Sequence, residues 1–214
     1  MRLFLVLTLF ICLFGYGQDP LRFQEEVEAL QKKYDTLWDS SRETVVFAGS
    51  SSIRFWENLP EIFPEYQIVN SGFGGSQASD LLGFTEELIL RYNPKKVFIY
   101  EGDNDISARK RPKRILADTE AIIEEIREKD PSTRIVLIAA KPSLARWHLK
   151  RGYKKLNRKF RRLSEKHSYL EFANVWDIML KGRKVRDDIF IEDGLHMNAA
   201  GYKLWYEVIR NYIN

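Results

Sequence analysis

The chain has 214 residues, 44% of them apolar, 30% charged and 13% aromatic, with a formal net charge of +4. That describes one globular domain with a core of its own. The mild charge, with 30 acidic residues set against 34 Lys and Arg, excludes a dedicated nucleic-acid binder, and the lone cysteine, Cys12, excludes an intramolecular disulfide.

The chain opens with a positive residue, Arg2, and an apolar run from Leu3 to Phe14 broken only by Thr8. At about a dozen residues the run falls short of the roughly 20 that span a bilayer as a helix. Gly15 and Gly17 supply the small residues of a cleavage site, so residues 1–17 read as a signal peptide with Gln18 as the new N-terminus. The mature protein is then secreted or periplasmic, with no membrane span kept. Lipidation at Cys12 is disfavoured by the bulk of Ile11 before it.

From there strand and helix alternate. Leu21 to Trp38 reads as an amphipathic helix carrying Phe23, Val27, Leu30, Tyr34 and Leu37 at helical spacing. Thr44 to Ala48 is a β-branched strand that meets Gly49, and Gln67 to Asn70 is a second strand. Leu81 to Tyr92 is helical and closed by Asn93-Pro94. Val97 to Tyr100 is a third strand. Ile115 to Lys129 is a helix ended by Asp130-Pro131. Arg134 to Ala140 is the fourth strand, Tyr153 to His167 a basic helix, Tyr169 to Ala173 the fifth strand, and Ala199 to Ile213 a closing helix. The strands are continuous apolar runs, which means a parallel sheet covered by helices on both faces. With no repeat, low-complexity linker or second domain, residues 18–214 form a single unit.

In open parallel sheets ligands bind at the carboxyl ends of the strands, and the notable short motifs fall there. Gly49-Ser50-Ser51-Ser52 follows the first strand, Asn70-Ser71-Gly72-Phe73-Gly74-Gly75 the second and Gly102-Asp103-Asn104-Asp105 the third. Near the end comes Asp193-Gly194-Leu195-His196. A serine hydroxyl needs a base, and His196 is the best placed of the three histidines. Asp193, three residues earlier, can reach the imidazole in one turn and hold its tautomer. A tetrahedral oxyanion needs donors. An N–H of the tight Gly74-Gly75 turn, the Asn104 amide and the Ser51 N–H can supply them. Each motif alone is commonplace: a loop, a tight turn, a helix cap. Together, in this order, they are the parts of an ester hydrolase. They need no cofactor, and no cluster of His, Cys and carboxylates marks a metal site.

These blocks resemble the SGNH hydrolases, the GDSL family of esterases and lipases. Gly49-Ser50-Ser51 is similar to the block that carries the nucleophile, which implies Ser51. The Asn70 to Ser76 block implies Gly75 as the glycine donor, Gly102 to Asp105 implies Asn104, and Asp193 to His196 implies the acid and base. The resemblance covers the whole mature chain. It implies a flavodoxin-like three-layer α/β/α sandwich and metal-independent ester hydrolysis. Ser50 stands where the family has Asp, and three adjacent serines leave Ser52 as a rival nucleophile.

The substrate expected by analogy is a small acyl ester, with a short acyl group such as acetyl on a carbohydrate. A lysophospholipase or thioesterase is the alternative enzyme. A non-catalytic protein that holds anionic polymers on the basic helix is the alternative of another class. The segment Lys141 to Lys166, with Arg146 and the Lys and Arg of the helix, reads first as a solvated face. Trp147 and Tyr153 could line a cleft, while Trp56 reads as a packing residue. His148 and His167 read as solvated, and Asp103 and Asp105 as braces for the loop around Asn104.

Overall fold

The computed structural model describes residues 20–214, so the apolar leader over 1–17, its cleavage boundary and Cys12 lie outside the described residues. A 3-10 turn, Pro20–Phe23, leads into α1 (Gln24–Leu37). There follow β1 (Thr44–Gly49), α2 (Ser51–Arg54), α3 (Leu59–Ile62), β2 (Gln67–Gly72), α4 (Ala78–Gly83), α5 (Thr85–Leu88), β3 (Lys96–Tyr100), α6 (Asp103–Ser107) and α7 (Pro112–Lys129). Then come β4 (Arg134–Ile138), α8 (Lys150–Ser164) and β5 (Leu170–Ala173). A small antiparallel ribbon, β6 (Leu180–Lys181) with β7 (Lys184–Val185), precedes α9 (Ala199–Ile209).

β1 to β5 form one parallel sheet in the order β2-β1-β3-β4-β5. Every residue of β1, β2 and β3 is buried, because both faces are covered; the polar Gln67, Asn70 and Ser71 of β2 and Lys96 of β3 are buried with the apolar ones. Phe47 and Phe98 stack across the sheet centre at 4.4 Å. Right-handed crossovers put α2 and α3 on one face and α4, α5, α7 and α8 on the other, because β1 to β2 runs opposite to the later connections. α9 joins the α2/α3 face, with Trp205 against Trp56 at 5.8 Å and Tyr206 against Phe63 at 5.4 Å. The result is the expected α/β/α sandwich, with the flavodoxin-like strand order. Among the described residues no helix is long and apolar enough to cross a membrane.

The helix expected over 81–92 is instead broken into α4, α5 and a 3-10 turn at Leu90–Tyr92. It starts earlier, at a capping box between Gln77 and Asp80. The Thr85 hydroxyl donates back to the carbonyls of Leu81 and Leu82 at 3.2 and 3.0 Å, competing with the helical ladder at the break. The closing helix stops at Ile209 rather than Ile213. In α1, Leu37 is 63% exposed rather than part of the buried stripe.

Gly49 lies beside Gly72 in β2 and Tyr100 in β3, so three strands end flush. This is the switch point of the sheet, where the chain leaves neighbouring strands for opposite faces. The segments that leave there carry Ser51, Gly75 and Asn104.

Candidate active site

Gly49 makes the turn into α2 possible. Its φ is +134°, and a Cβ there would sit 2.0 Å from the Tyr100 carbonyl oxygen, so no side chain fits. Ser50 then donates its N–H to the Tyr100 carbonyl at 3.1 Å. Its own carbonyl accepts from Ile53 and Arg54 at 2.8 and 3.2 Å. That starts α2 with Ser51 half-exposed at the rim. Ser52 is only 3% exposed, so the rival serine points into the protein.

The last motif folds into a closed loop. Phe190 bridges Met197, the Ile191 N–H reaches the His196 carbonyl at 2.9 Å, and the Gly194 N–H reaches the Ile191 carbonyl at 3.0 Å. Inside it, Asp193 Oδ1 accepts from the N–H groups of Leu195 and His196 at 2.8 and 2.9 Å. Its Oδ2 lies 2.5 Å from His196 Nδ1. The other ring nitrogen, Nε2, lies 3.1 Å from Ser51 Oγ. Residues 145 positions apart are thus in hydrogen-bond reach. Partial burial pulls the Asp193 carboxyl upward, but the Leu195 N–H, the His196 ring and the His196 N–H outweigh it and bring it down to about 2. Phe55 meets the imidazole edge to face at 5.1 Å.

Gly75 adopts φ +78°, which a side chain resists and glycine does not. Among the described residues the N–H groups of Ser51 and Gly75 donate to no protein acceptor, so both are available to an anion. The preceding N–H, of Gly74, is held by Glu26 at 3.0 Å, and the same Glu26 oxygen pairs with Arg54 at 2.9 Å. Asn104 is engaged. Its amide donates to Ser50 Oγ at 2.7 Å and to the Ser76 carbonyl at 2.9 Å, while its oxygen accepts from Arg146 at 3.1 Å. Ser50, standing in the family's Asp position, therefore holds one hydrogen of the amide expected to face the oxyanion.

Beneath the rim lies a buried charge network that the sequence did not disclose. Asp103 accepts from Tyr153 at 2.5 Å and Arg146 at 2.7 Å on one oxygen, and from Tyr100 at 3.3 Å and Lys141 at 3.4 Å on the other. Lys141 also donates to the Leu195 carbonyl at 2.8 Å. The network thus ties the Asn104 loop to the His196 loop. Burial alone would raise the Asp103 carboxyl, but Lys141, Arg146 and Tyr153 hold it below the usual range. Lys141 is therefore no solvated surface cation, as its place in a basic run suggested, since its side chain is fully buried. Arg146 is largely buried at the site, and Tyr153 is a core residue rather than a cleft wall. Asp105 does brace the loop, accepting the Ala78 N–H at 3.1 Å, and also pairs with Lys110 at 2.9 Å. On the other side of the rim, Ser76 Oγ lies 2.6 Å from Glu101. Burial, with Asp105 close by, pushes the Glu101 carboxyl well above its usual range. Glu26, Glu101, Lys141 and Arg146 carried no signal in the sequence, because each is an ordinary charged residue until the fold puts it at the rim.

Trp56 is buried packing, His148 is exposed, and His167 stacks on Tyr169 at 5.1 Å. Trp147 is half-buried and stacks on Trp176 at 5.9 Å. The eight cations of α8 take part in no ion pair among the described residues. Among those residues, no group of three or more His, Cys, Asp or Glu is placed to hold a metal ion.

The model of the GDSL-like lipase/acylhydrolase family matches residues 17–204. A Streptococcus pneumoniae protein described as a candidate platelet activating factor is similar at 25% identity and TM-score 0.77, over 90% of this chain and 94% of that one. A GDSL-like lipase from Bacteroides thetaiotaomicron is 20% identical with TM-score 0.68, over 90% and 96% of the two chains. A variant of an acetyl-xylooligosaccharide esterase from Geobacillus is 17% identical with TM-score 0.65, over 78% and 93%. At their identities the last two bear on the fold alone. No curated protein matches the sequence.

Proposed function

The chain belongs to the GDSL-like lipase/acylhydrolase family, whose members hydrolyse esters, and on that premise we propose that it is an exported serine esterase acting through Ser51, His196 and Asp193. The observation that carries the reading is the continuous line from Asp193 through both ring nitrogens of His196 to Ser51 Oγ, with contacts of 2.5 and 3.1 Å. A nucleophile within reach of a base, itself oriented by a carboxylate, is the arrangement nucleophilic catalysis requires.

In this mechanism Ser51 Oγ attacks the ester carbonyl and His196 Nε2 takes the hydroxyl proton. Asp193, ionised down to about pH 2, steadies the resulting imidazolium. The oxyanion forms against the Ser51 and Gly75 N–H groups, and the Asn104 hydrogen now on Ser50 turns to it as a third donor. As the carbon–oxygen bond to the alcohol breaks, His196 returns the proton to the departing oxygen. A water then adds to the acyl-serine, losing a proton to His196; the bond from the acyl carbon to Ser51 Oγ breaks, the acid leaves, and His196 returns that proton to Ser51 Oγ.

For substrate we favour a short acyl group, such as acetyl, on a carbohydrate. Support comes from the apolar leader and from the likeness in fold to an acetyl-xylooligosaccharide esterase. A second reading, a long-chain acyl ester, has its own support. An apolar groove of about 680 Å³, lined by Phe55, Ile62, Met197, Tyr202 and Tyr206 among others, opens beside His196. The test is hydrolysis of p-nitrophenyl esters of increasing chain length. The short-acyl reading expects the acetyl ester to be turned over best, and Ser51→Ala to lower kcat by about 10⁴-fold or more. A rate rising steeply with chain length would favour the long-acyl reading. Equal rates for wild type and Ser51→Ala would remove the esterase assignment.

A further inference from the structure

Large exposed apolar side chains are few among the described residues: Leu37, Phe55, Leu144 and Ile191. Scattered single ones need no explanation, but three of these four lie on or against the loop that carries Asp193 and His196. Phe55 lies against the His196 ring at 5.1 Å. Ile191 pairs its N–H with the His196 carbonyl at 2.9 Å. Leu144 abuts Gly194, where a built Cβ would fall 3.1 Å from its own, and the next residue, Ala145, donates its N–H to the Gly194 carbonyl at 3.0 Å. Their exposures are 45%, 51% and 43%. Through Phe55 this group is continuous with the apolar groove beside His196. Apolar side chains gathered at a reactive centre, next to an apolar groove, are what a docking surface requires.

The charge around this apolar group has one prevailing sign. Arg109 and Arg111 follow α6, Lys150 and Arg151 open α8, and Lys203 lies on the first turns of α9. All five are exposed and form no ion pair among the described residues. Arg54 sits over the Phe55 ring at 5.8 Å, partnered by Glu26. Acids near the same side include Glu57, Asp187 and Glu192, which form no ion pair among the described residues; Asp188, whose carbonyl accepts from the α9 cap Asn198 at 3.0 Å, is held by Arg186 at 2.7 Å, and Asp193 is occupied by His196. Each of the three helices α6, α8 and α9 begins at the carboxyl edge of the sheet, so these cations crown the end of the molecule where Ser51 opens.

We propose that this end of the protein docks on the surface of a bilayer containing anionic lipids, with Phe55, Leu144 and Ile191 entering the headgroup boundary and the surrounding cations facing the lipid charge. Apolar contact and attraction to anionic headgroups add in this way for interfacial proteins that do not span the membrane. Docking would bring Ser51 to an ester carried on an amphiphile in the membrane. The inference rests on the esterase reading for its purpose but not for its test.

The experiment is co-sedimentation of the mature chain with vesicles of phosphatidylcholine alone and of phosphatidylcholine with phosphatidylglycerol. The expected result is partitioning onto the anionic vesicles that weakens as salt is raised. Leu144→Ser/Ile191→Ser should lower that partitioning by about tenfold or more, from the apolar area lost. Arg109→Gln/Arg111→Gln should lower it about fivefold per charge on anionic vesicles only. Circular dichroism on each variant shows that it is folded. Ser51→Ala should bind like wild type, so a protein that binds vesicles without cleaving p-nitrophenyl acetate would sink the esterase reading and spare this one. Absence of binding to either vesicle, equal binding by Leu144→Ser/Ile191→Ser, or binding to a soluble polyanion such as heparin in place of vesicles would overturn the docking inference.

Discussion

Asp103→Ala tests the buried network most directly. In the folded protein the carboxylate faces Lys141, Arg146, Tyr153 and Tyr100. The Lys141 side chain is fully buried, and without Asp103 its named partner is the Leu195 carbonyl. Removing one member of a buried ion pair strands the other charge and costs about 3–5 kcal/mol. For a domain of this size that lowers Tm by roughly 6–20 °C. Urea unfolding followed by tryptophan fluorescence, with calorimetry alongside, measures it. Lys141→Met on the Asp103→Ala background should recover part of the loss, because the stranded charge is then gone. The sign with pH is also set. Asp103 is held below its unfolded value, so its stabilisation is full above the ordinary carboxylate range and fades as pH falls through the folded value. The variant should therefore flatten the acid side of the stability curve. A loss under about 1 kcal/mol, the scale of an exposed pair, or no recovery in the double variant would refute the reasoning.

Asn104→Ala should lower kcat on p-nitrophenyl acetate by about 10²–10³-fold with a smaller change in KM, as loss of one oxyanion donor does; an unchanged kcat would mean that its bond to Ser50 is its whole role. Gly75→Ala meets no atom within 4 Å but keeps φ +78°, so it should cost about 1–2 kcal/mol of backbone strain and fold, as read by urea unfolding, whereas Gly49→Ala should yield no soluble protein. Glu101 has a raised folded value, so the native state holds its proton longer than the unfolded chain, and stability should fall as pH rises from the ordinary carboxylate range toward that value. Glu101→Gln should remove this slope and raise stability at neutral pH; urea midpoints over about pH 4 to 8 check it.

Much of this protein is legible in its sequence because the responsible forces are local or periodic. A run such as Val45 to Ala48, apolar at every position, can only lie between two covered faces, so the parallel sheet follows before any coordinate is known. Gly49 and Gly75 mark backbone turns that other residues resist, and the Asp193–His196 spacing is short enough for one loop to close. These features located the carboxyl rim and named Ser51, Gly75, Asn104, Asp193 and His196 as residues to look for. The tertiary structure alone decided what depends on long-range meeting. It turned Ser51 toward His196 and Ser52 inward. It set Ser50 against the Asn104 amide and broke the helix over 81–92 at Thr85. It drew Lys141 and Arg146 out of a basic run and into the interior beside Asp103. A lysine at the surface and a lysine in a buried pair are the same letter; only the neighbours brought by the fold determine which charge is solvated and which is held by a partner.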